Sequence, residues 1–100
     1  MSGKYLLLKV GEETILRADA GASYHIEILR DVREVEGLKN AIPLGGGRMD
    51  IAYRQVRLHD FSGDFGKEDR AVTAQLMKEL FPEFDIVEGG GFGLEPTKLL

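Results

Sequence analysis

Two segments with a helical repeat of apolar residues, each enclosed by strand-like segments, limit how this chain can fold. Apolar residues recur at every fourth position within residues 24–35 and again within residues 67–81, so each segment presents one apolar face as a helix. Ser23 suits the N-cap of the first helix, because its hydroxyl can accept a hydrogen bond from a free amide there. The apolar positions are Tyr24, Ile28 and Val32 in the first helix and Val72, Leu76 and Leu80 in the second.

Short apolar or alternating segments around these helices predict β-strands. Two of them are joined by a tight turn at Gly11, which indicates a hairpin. The order strand, strand, helix, strands, helix, strand predicts an α+β fold with a single domain, in which a mixed sheet of about five or six strands packs against two helices. We place this domain at residues 1–88 and expect the glycine-rich residues 89–100 to form a flexible C-terminal tail. The predicted strands are residues 5–10, 14–18, 49–53, 55–61 and about 84–86.

Composition excludes several classes of function. The chain has 100 residues, of which 43% are hydrophobic and none is cysteine, so it suits one globular domain without disulfides or cysteine-nucleophile chemistry. Its net charge of −4 argues against nucleic acid as a partner. Its two histidines lack the spacing of zinc hydrolases, so we expect no metal and no cofactor. The apolar run in residues 1–10 is too short for a signal peptide or a membrane span, and we expect a cytoplasmic monomer with no membrane partner.

His25 falls in the first turn of the first predicted helix. The free amides there carry partial positive charge, which favours a bound anion and a neutral imidazole. A neutral imidazole is what a general base or a nucleophile requires. By its position alone, however, His25 fits a packed first-turn residue better than a catalytic one.

The run Gly45-Gly46-Gly47-Arg48 is more unusual. Consecutive glycine amides can form an anion-binding nest, and the arginine adds a planar, charged donor for phosphate. A flexible connector or a β-bulge explains the glycines equally well. The P-loop pattern is absent, because no lysine followed by serine or threonine stands at the required spacing.

Four more polar residues have an ordinary interpretation when each is taken alone. Lys4 and Arg17 lie near strand ends, where solvated charges are common. Ser62 belongs to a glycine-containing loop, where turn formation is the commoner role of serine, although its hydroxyl can also donate to phosphate. His59 alternates with buried positions in a strand, which is typical of a surface or cross-strand residue.

Several short motifs follow one another in an order that resembles the Janus/Ocnus family, and the similarity runs from Lys4 to Val87. No single motif is decisive, whereas the set in one order is fairly specific. The matching motifs are Lys4-Tyr5, Ile15-Leu16-Arg17, Tyr24-His25, Leu44-Gly45-Gly46-Gly47-Arg48, Phe61-Ser62 and Phe81-Pro82-Glu83-Phe84.

The resemblance implies a protein histidine phosphatase, a hydrolase that removes phosphate from phosphohistidine in a protein or peptide without a metal. By the resemblance, His25 is the catalytic residue, acting as a general base or as a nucleophile. The residues implied to surround the phosphate are Lys4, Arg17, Gly46, Gly47, Arg48 and Ser62, with Asp64 two residues beyond the serine.

The sequence departs from the family pattern at Asp64, where the family has a small residue. A carboxylate beside a phosphate is repulsive unless it points away, and we expect Asp64 instead to cap the second helix. Because of Asp64, a non-catalytic module that binds phosphate or phosphoproteins is an alternative function. An enzyme for free phosphoramidates or phospholysine would differ only in its substrate.

Overall fold

The computed structural model describes residues 1–90 and 95–100. The strands in these ranges are β1 (Ser2–Val10), β2 (Glu13–Asp19), β3 (Ile42–Ala52), β4 (Gln55–His59), β5 (Asp85–Glu88) and β6 (Thr97–Lys98). They form one sheet in the order β2-β1-β3-β4-β5-β6, in which β4 and β5 are parallel and all other neighbours are antiparallel. The radius of gyration is 13.2 Å, and about 13 Å is expected for one domain of this length. The predicted α+β fold with a single domain and a mixed sheet is therefore confirmed.

Helices α1 (His25–Arg30) and α2 (Arg70–Leu80) cover opposite faces of the sheet. Successive side chains of a strand point to opposite faces, and Leu6 of β1 accordingly packs with α1 while its neighbour Tyr5 packs with Met77 of α2. We call these two surfaces the α1 face and the α2 face. Helix α1 contacts β1 and β2, and the polar side chains of β3 and β4 on the same face are partly exposed.

The first helical segment runs from α1 into a π-helical stretch, Asp31–Val35. The predicted N-cap, Ser23, is wrong, because Tyr24 occupies the cap position. Three residues further on, the carboxylate of Glu27 reaches back and accepts a hydrogen bond from the Tyr24 amide at 3.2 Å. His25 is therefore the first residue of the helix.

Strand β3 is longer than the sequence pattern predicts, because it begins before Pro43 and includes the triple-glycine run. Proline is tolerated there since this part of β3 pairs with β1 and not with β4, and a shift in the pairing register with β1 follows it directly. The glycines thus lie in the central part of the sheet, with Gly46 opposite Leu6 and Gly47 opposite Tyr5, rather than in a flexible connector.

Helix α2 begins at Arg70, three residues later than the start predicted from the apolar repeat. Its N-cap is Asp69, whose Oδ1 accepts a hydrogen bond from the Ala71 amide at 3.0 Å. The prediction that Asp64 caps this helix is therefore wrong. Asp64 lies five residues earlier, in the loop closed by the bridge between Ser62 and Gly66, and its side chain is exposed.

Strand β6 lies within the segment predicted as a tail. It pairs with β5, and Leu99 beside it packs against the core on the α2 face. Residues 91–94, which belong to the same predicted tail, lie outside the described residues. The flexibility of residues 89–100 stays a prediction.

Candidate functional site

His25 is fixed against the central strand by one hydrogen bond. The residue is 4% exposed, and its Nε2 lies 2.9 Å from the carbonyl oxygen of Gly47. Because a carbonyl oxygen only accepts, Nε2 must carry the proton that is donated. In the neutral ring Nδ1 is therefore the unprotonated nitrogen, which is the one able to accept a proton or to attack an electrophile.

Nδ1 of His25 has no hydrogen-bond partner among the described residues. It is also not one of the buried, unpaired side-chain atoms of those residues, of which Nε of Arg57 is the one example. The described residues therefore leave this nitrogen available to a water molecule or a ligand.

Gly46 makes the contact between His25 and β3 possible. A Cβ at this position would lie 3.0 Å from Cδ2 of His25 and 2.2 Å from the carbonyl oxygen of Tyr5. Both distances are shorter than ordinary contacts between nonbonded heavy atoms, so a side chain would push the ring and β1 away. The amide of Gly46 donates to the carbonyl of Gly66 at 2.9 Å, which makes it unavailable to a nest for an anion.

The flanking glycines serve the opposite face of the sheet. A Cβ at Gly45, whose φ is +132°, would lie 2.5 Å from the amide nitrogen of Glu68. A Cβ at Gly47 would lie 2.6 Å from Nη1 of Arg70. The run therefore allows three close approaches to one short stretch of β3, by His25 on the α1 face and by Glu68 and Arg70 on the α2 face.

Lys4 and Arg48 lie side by side on the α1 face, because they are directly opposite in the pairing of β1 with β3. Arg48 stands two residues beyond Gly46, so both cations neighbour the His25 ring along the strands. Both are partly exposed, and in the described ranges neither has an ion-pair partner. Two unpaired cations beside an imidazole with an unbonded ring nitrogen form a site suited to a phosphoryl group.

Ser62 is attached to β3 beside the contact between His25 and Gly46. It is 1% exposed, its amide donates to the carbonyl of Gly46 at 3.1 Å, and its Oγ accepts from the amide of Phe65 at 3.0 Å. The loop is thereby attached to β3 at Gly46, the residue that the His25 ring contacts. Asp64 is exposed in the same loop.

Arg17 is held away from His25. Its guanidinium forms a bidentate ion pair with Glu36, with a shortest distance of 2.7 Å. The hydrogen bond to Glu36 raises the pKa of Arg17, and the same bond lowers the pKa of Glu36. Glu36 follows the last helical residue while His25 is the first, so roughly 15 Å of helix separates them. The Arg17 guanidinium is thus committed to Glu36, although Arg17 lies opposite Leu6, which faces Gly46 on its other side.

Sequence reasoning missed a polar cluster centred on Asp50, next to Arg48 on the α1 face. The Asp50 carboxylate accepts hydrogen bonds from Ser2 at 2.5 Å, from Arg57 at 2.7 Å and from His59 at 2.8 Å. Burial alone would raise the pKa of Asp50, but these hydrogen bonds and the His59 charge outweigh it and lower the pKa to about 2. The prediction of a cross-strand role for His59 is confirmed, since Asp50 lies on β3 and His59 on β4.

Sequence reasoning also missed a buried ionic network behind the glycine run. Glu68 is 5% exposed and Arg70 is 6% exposed, and they form an ion pair of 2.8 Å. The hydroxyls of Tyr5 and Thr73 donate to the second oxygen of Glu68 at 2.7 and 2.5 Å. Arg70 also contacts the Tyr5 hydroxyl and the carbonyl of Asp60. Burial raises the pKa of Glu68. The one sequence feature that pointed to this network was the glycine run, which leaves room for Glu68 and Arg70 against β3.

Neither a metal site nor a membrane-spanning helix is present among the described residues. No group of three or more histidine, aspartate or glutamate side chains in residues 1–90 and 95–100 is placed to hold a metal ion. Within the same ranges, no helix is long and apolar enough to span a membrane.

Comparison with known proteins identifies relatives over most of the chain. A family model described as the Janus/Ocnus family (Ocnus) matches residues 2–85. The chain is similar to the sex-regulated protein janus-A of Drosophila melanogaster and to that of Drosophila mauritiana. Each is 27% identical over 93 residues, and the match covers 83% of this chain and 68% of the relative.

Proposed function

The chain belongs to the Janus/Ocnus family, and from this premise we propose that it is a metal-independent protein histidine phosphatase that hydrolyses the P–N bond of phosphohistidine. The observation that carries the proposal is the geometry of His25. Its Nε2 is committed to the Gly47 carbonyl, which leaves Nδ1 free beside the unpaired side chains of Lys4 and Arg48.

The charges at the site suit a phosphoryl group. The transferred group carries negative charge on its equatorial oxygens, and fixed cations stabilise that charge most strongly where water is excluded. Lys4 supplies a compact point charge and Arg48 a planar fork of donors. Ser62 supports the site by holding its loop against Gly46, to whose carbonyl its amide donates.

Two mechanisms use the same nitrogen of His25. As a general base, Nδ1 takes a proton from a water molecule that attacks phosphorus on the side opposite the leaving imidazole. As a nucleophile, Nδ1 attacks phosphorus itself and gives a transient phosphorylated enzyme that water then hydrolyses. Rapid quenching with a radiolabelled phosphohistidine peptide distinguishes them, since only the second mechanism leaves label on His25.

A non-catalytic module that binds phosphate is the second candidate, and the exposed Asp64 supports it. Its carboxylate lies two residues from Ser62, and a negative charge near the phosphate opposes the further charge that develops during turnover. Such a module would bind phosphate through Lys4 and Arg48 without turnover.

The test is phosphate release from a phosphohistidine peptide in the presence of EDTA. We expect turnover by the wild-type protein and none by His25→Gln, whose amide can still donate to the Gly47 carbonyl and so preserve the local packing. Wild-type protein that binds the peptide without releasing phosphate would support the binding module instead. Turnover that is observed without EDTA but lost when EDTA is added would contradict a metal-independent reaction.

Arg48 and Arg17 provide a matched pair of variants for the phosphate site. Removing a charged donor costs about 1.5–3 kcal/mol, so Arg48→Gln should weaken phosphate binding by about 10- to 150-fold. Arg17→Gln should change it little, because the Arg17 guanidinium is bound to Glu36 at the far end of the helix. Phosphate titrations followed by NMR measure both affinities, and an equal loss in the two variants would show that Arg17 moves to the phosphate.

A further inference from the structure

The other histidine lies on the same face as His25 and has no place in the proposed reaction so far. Resting on the proposed function, we propose that His59, held by Asp50, contacts the imidazole of the substrate phosphohistidine and protonates it as the P–N bond breaks. His59 would then be a second catalytic residue, on the leaving-group side of the site.

The position of His59 fits this role. His59 is directly opposite Arg48 in the pairing of β3 with β4, and Arg48 is directly opposite Lys4 on β1. The three side chains thus form a row across three strands of the α1 face. Gly46, which the His25 ring contacts, lies two residues before Arg48. Strand rise and strand spacing put the Cα atoms of Gly46 and His59 about 8 Å apart.

In-line displacement requires groups on both sides of the phosphoryl group. The attacking water and the leaving nitrogen lie on opposite sides of phosphorus, so the base and the acid must also be on opposite sides. With the phosphoryl group above Lys4 and Arg48, His25 lies towards Gly46 along β3 and His59 lies across the sheet on β4, so the two histidines approach the group from different directions. For this reaction the two histidines must be far enough apart for one phosphoryl group to bind between them.

Asp50 determines which nitrogen of His59 can exchange a proton. The carboxylate of Asp50 lies 2.8 Å from Nε2 of His59, so Nε2 keeps its proton and Nδ1 is the exchanging nitrogen. Arg57 binds the same carboxylate and keeps it in place. Lys4 and Arg48 repel a protonated His59, whereas Asp50 and the dianionic phosphoryl group attract it.

The step balances without any further reactant. Protonated His59 donates its Nδ1 proton to the ring nitrogen of the substrate that carries no phosphate. The P–N bond breaks, and its electron pair stays on the leaving nitrogen, which gives a neutral imidazole. The water oxygen forms the new P–O bond and loses its proton to Nδ1 of His25. Solvent then returns both histidines to their starting protonation states.

The surface beyond His59 has room for the rest of the leaving group. A cavity of about 330 Å³ opens on the α1 face, and its lining includes Asp50 and Arg57 as well as Tyr53, which is fully exposed. On the opposite side of the site, the His25 ring belongs to helix α1. The histidine that is released, with its polypeptide, therefore fits on the β3–β4 side.

The experiment compares a phosphohistidine peptide with the same peptide methylated on the ring nitrogen that carries no phosphate. The first needs a proton on that nitrogen, whereas the methylated ring is permanently cationic and needs none. General acid catalysis contributes about 100- to 10,000-fold. In His59→Gln, whose amide can still donate to Asp50, we expect kcat/KM to fall by at least about 100-fold for the peptide and by less than about 3-fold for the methylated substrate.

Each outcome decides something. An equal fall for both substrates, or no fall for either, would overturn the role of His59 while wild-type turnover of the peptide still supports the phosphatase. Absence of wild-type turnover with the peptide would overturn the proposed function and this inference together. If the wild-type protein does not accept the methylated substrate, recovery of peptide turnover by added imidazole in His59→Ala supports the inference, and failure to recover it contradicts it.

Discussion

A methyl group added at Gly46 tests why a glycine stands in the middle of the sheet. The Cβ of Gly46→Ala would lie 2.2 Å from the carbonyl oxygen of Tyr5 and 3.0 Å from Cδ2 of His25. Nonbonded carbon atoms prefer separations of about 3.5–4.0 Å. Because the Tyr5 oxygen belongs to the neighbouring backbone, it cannot rotate away, and β1 and β3 must separate locally. Overpacking costs about 1–3 kcal/mol, and we expect the upper end of that range.

The loss is measurable by thermal unfolding followed by circular dichroism. For a domain of this size, 1 kcal/mol corresponds to about 4–8 °C, so Gly46→Ala should lower Tm by roughly 12–24 °C. Gly63→Ala is the matched control, since a Cβ there meets no atom within 4 Å and Gly63 has no positive φ. If the two variants unfold at the same temperature, steric contact does not explain Gly46. Nitrogen NMR of the His25 ring provides a second measurement, because displacement of the ring should break its bond to Gly47.

Two further predictions concern carboxylates. Asp69→Ala should lower the free energy of unfolding by about 0.5–2 kcal/mol through loss of the helix cap, whereas Asp64→Ala should change it by less than about 0.5 kcal/mol, and urea unfolding of the pair checks this. The pKa of Asp50 is lowered from 3.8 to about 2 on folding, so its contribution is present above pH 4 and is lost as the pH falls through 2. Asp50→Asn should therefore be less stable than wild type by at most about 2 kcal/mol at pH 6, with the difference shrinking below pH 4, and a constant difference would contradict the coupling.

The element types and their order were predictable because apolar periodicity reports burial directly. The helical repeat located both helices, and two short strand-like segments joined by a turn at Gly11 located the hairpin of β1 with β2. The starts of the helices were less predictable, because several polar side chains compete to bind the same free backbone amides. Glu27 and Asp69 hold the amides at the two helix starts, and the sequence pattern favoured Ser23 and Asp64 for those positions.

The candidate site was predictable only in part. The sequence motifs indicated Lys4 and Arg48 separately. Only the register of β1 with β3 shows that the two residues are neighbours. Arg17 belongs to the same motif set, but its partner Glu36 comes from a helix end whose position depends on the π-helical stretch. A local pattern carries no information about which acidic residue an arginine will meet across the fold.

The glycine run connects the candidate site to the buried ionic network through a single strand. The carbonyl of Gly47 binds Nε2 of His25 on one face, and the space left by its missing side chain is filled by Arg70 on the other. Arg70 in turn holds the carbonyl of Asp60, two residues before Ser62. Paired buried charges fix geometry more than they add stability, because desolvation offsets their attraction. The position of His25 relative to Ser62 is therefore set by the central strand and by the Arg70 contacts behind it, and rigid support of this kind suits the catalytic role that we propose for His25.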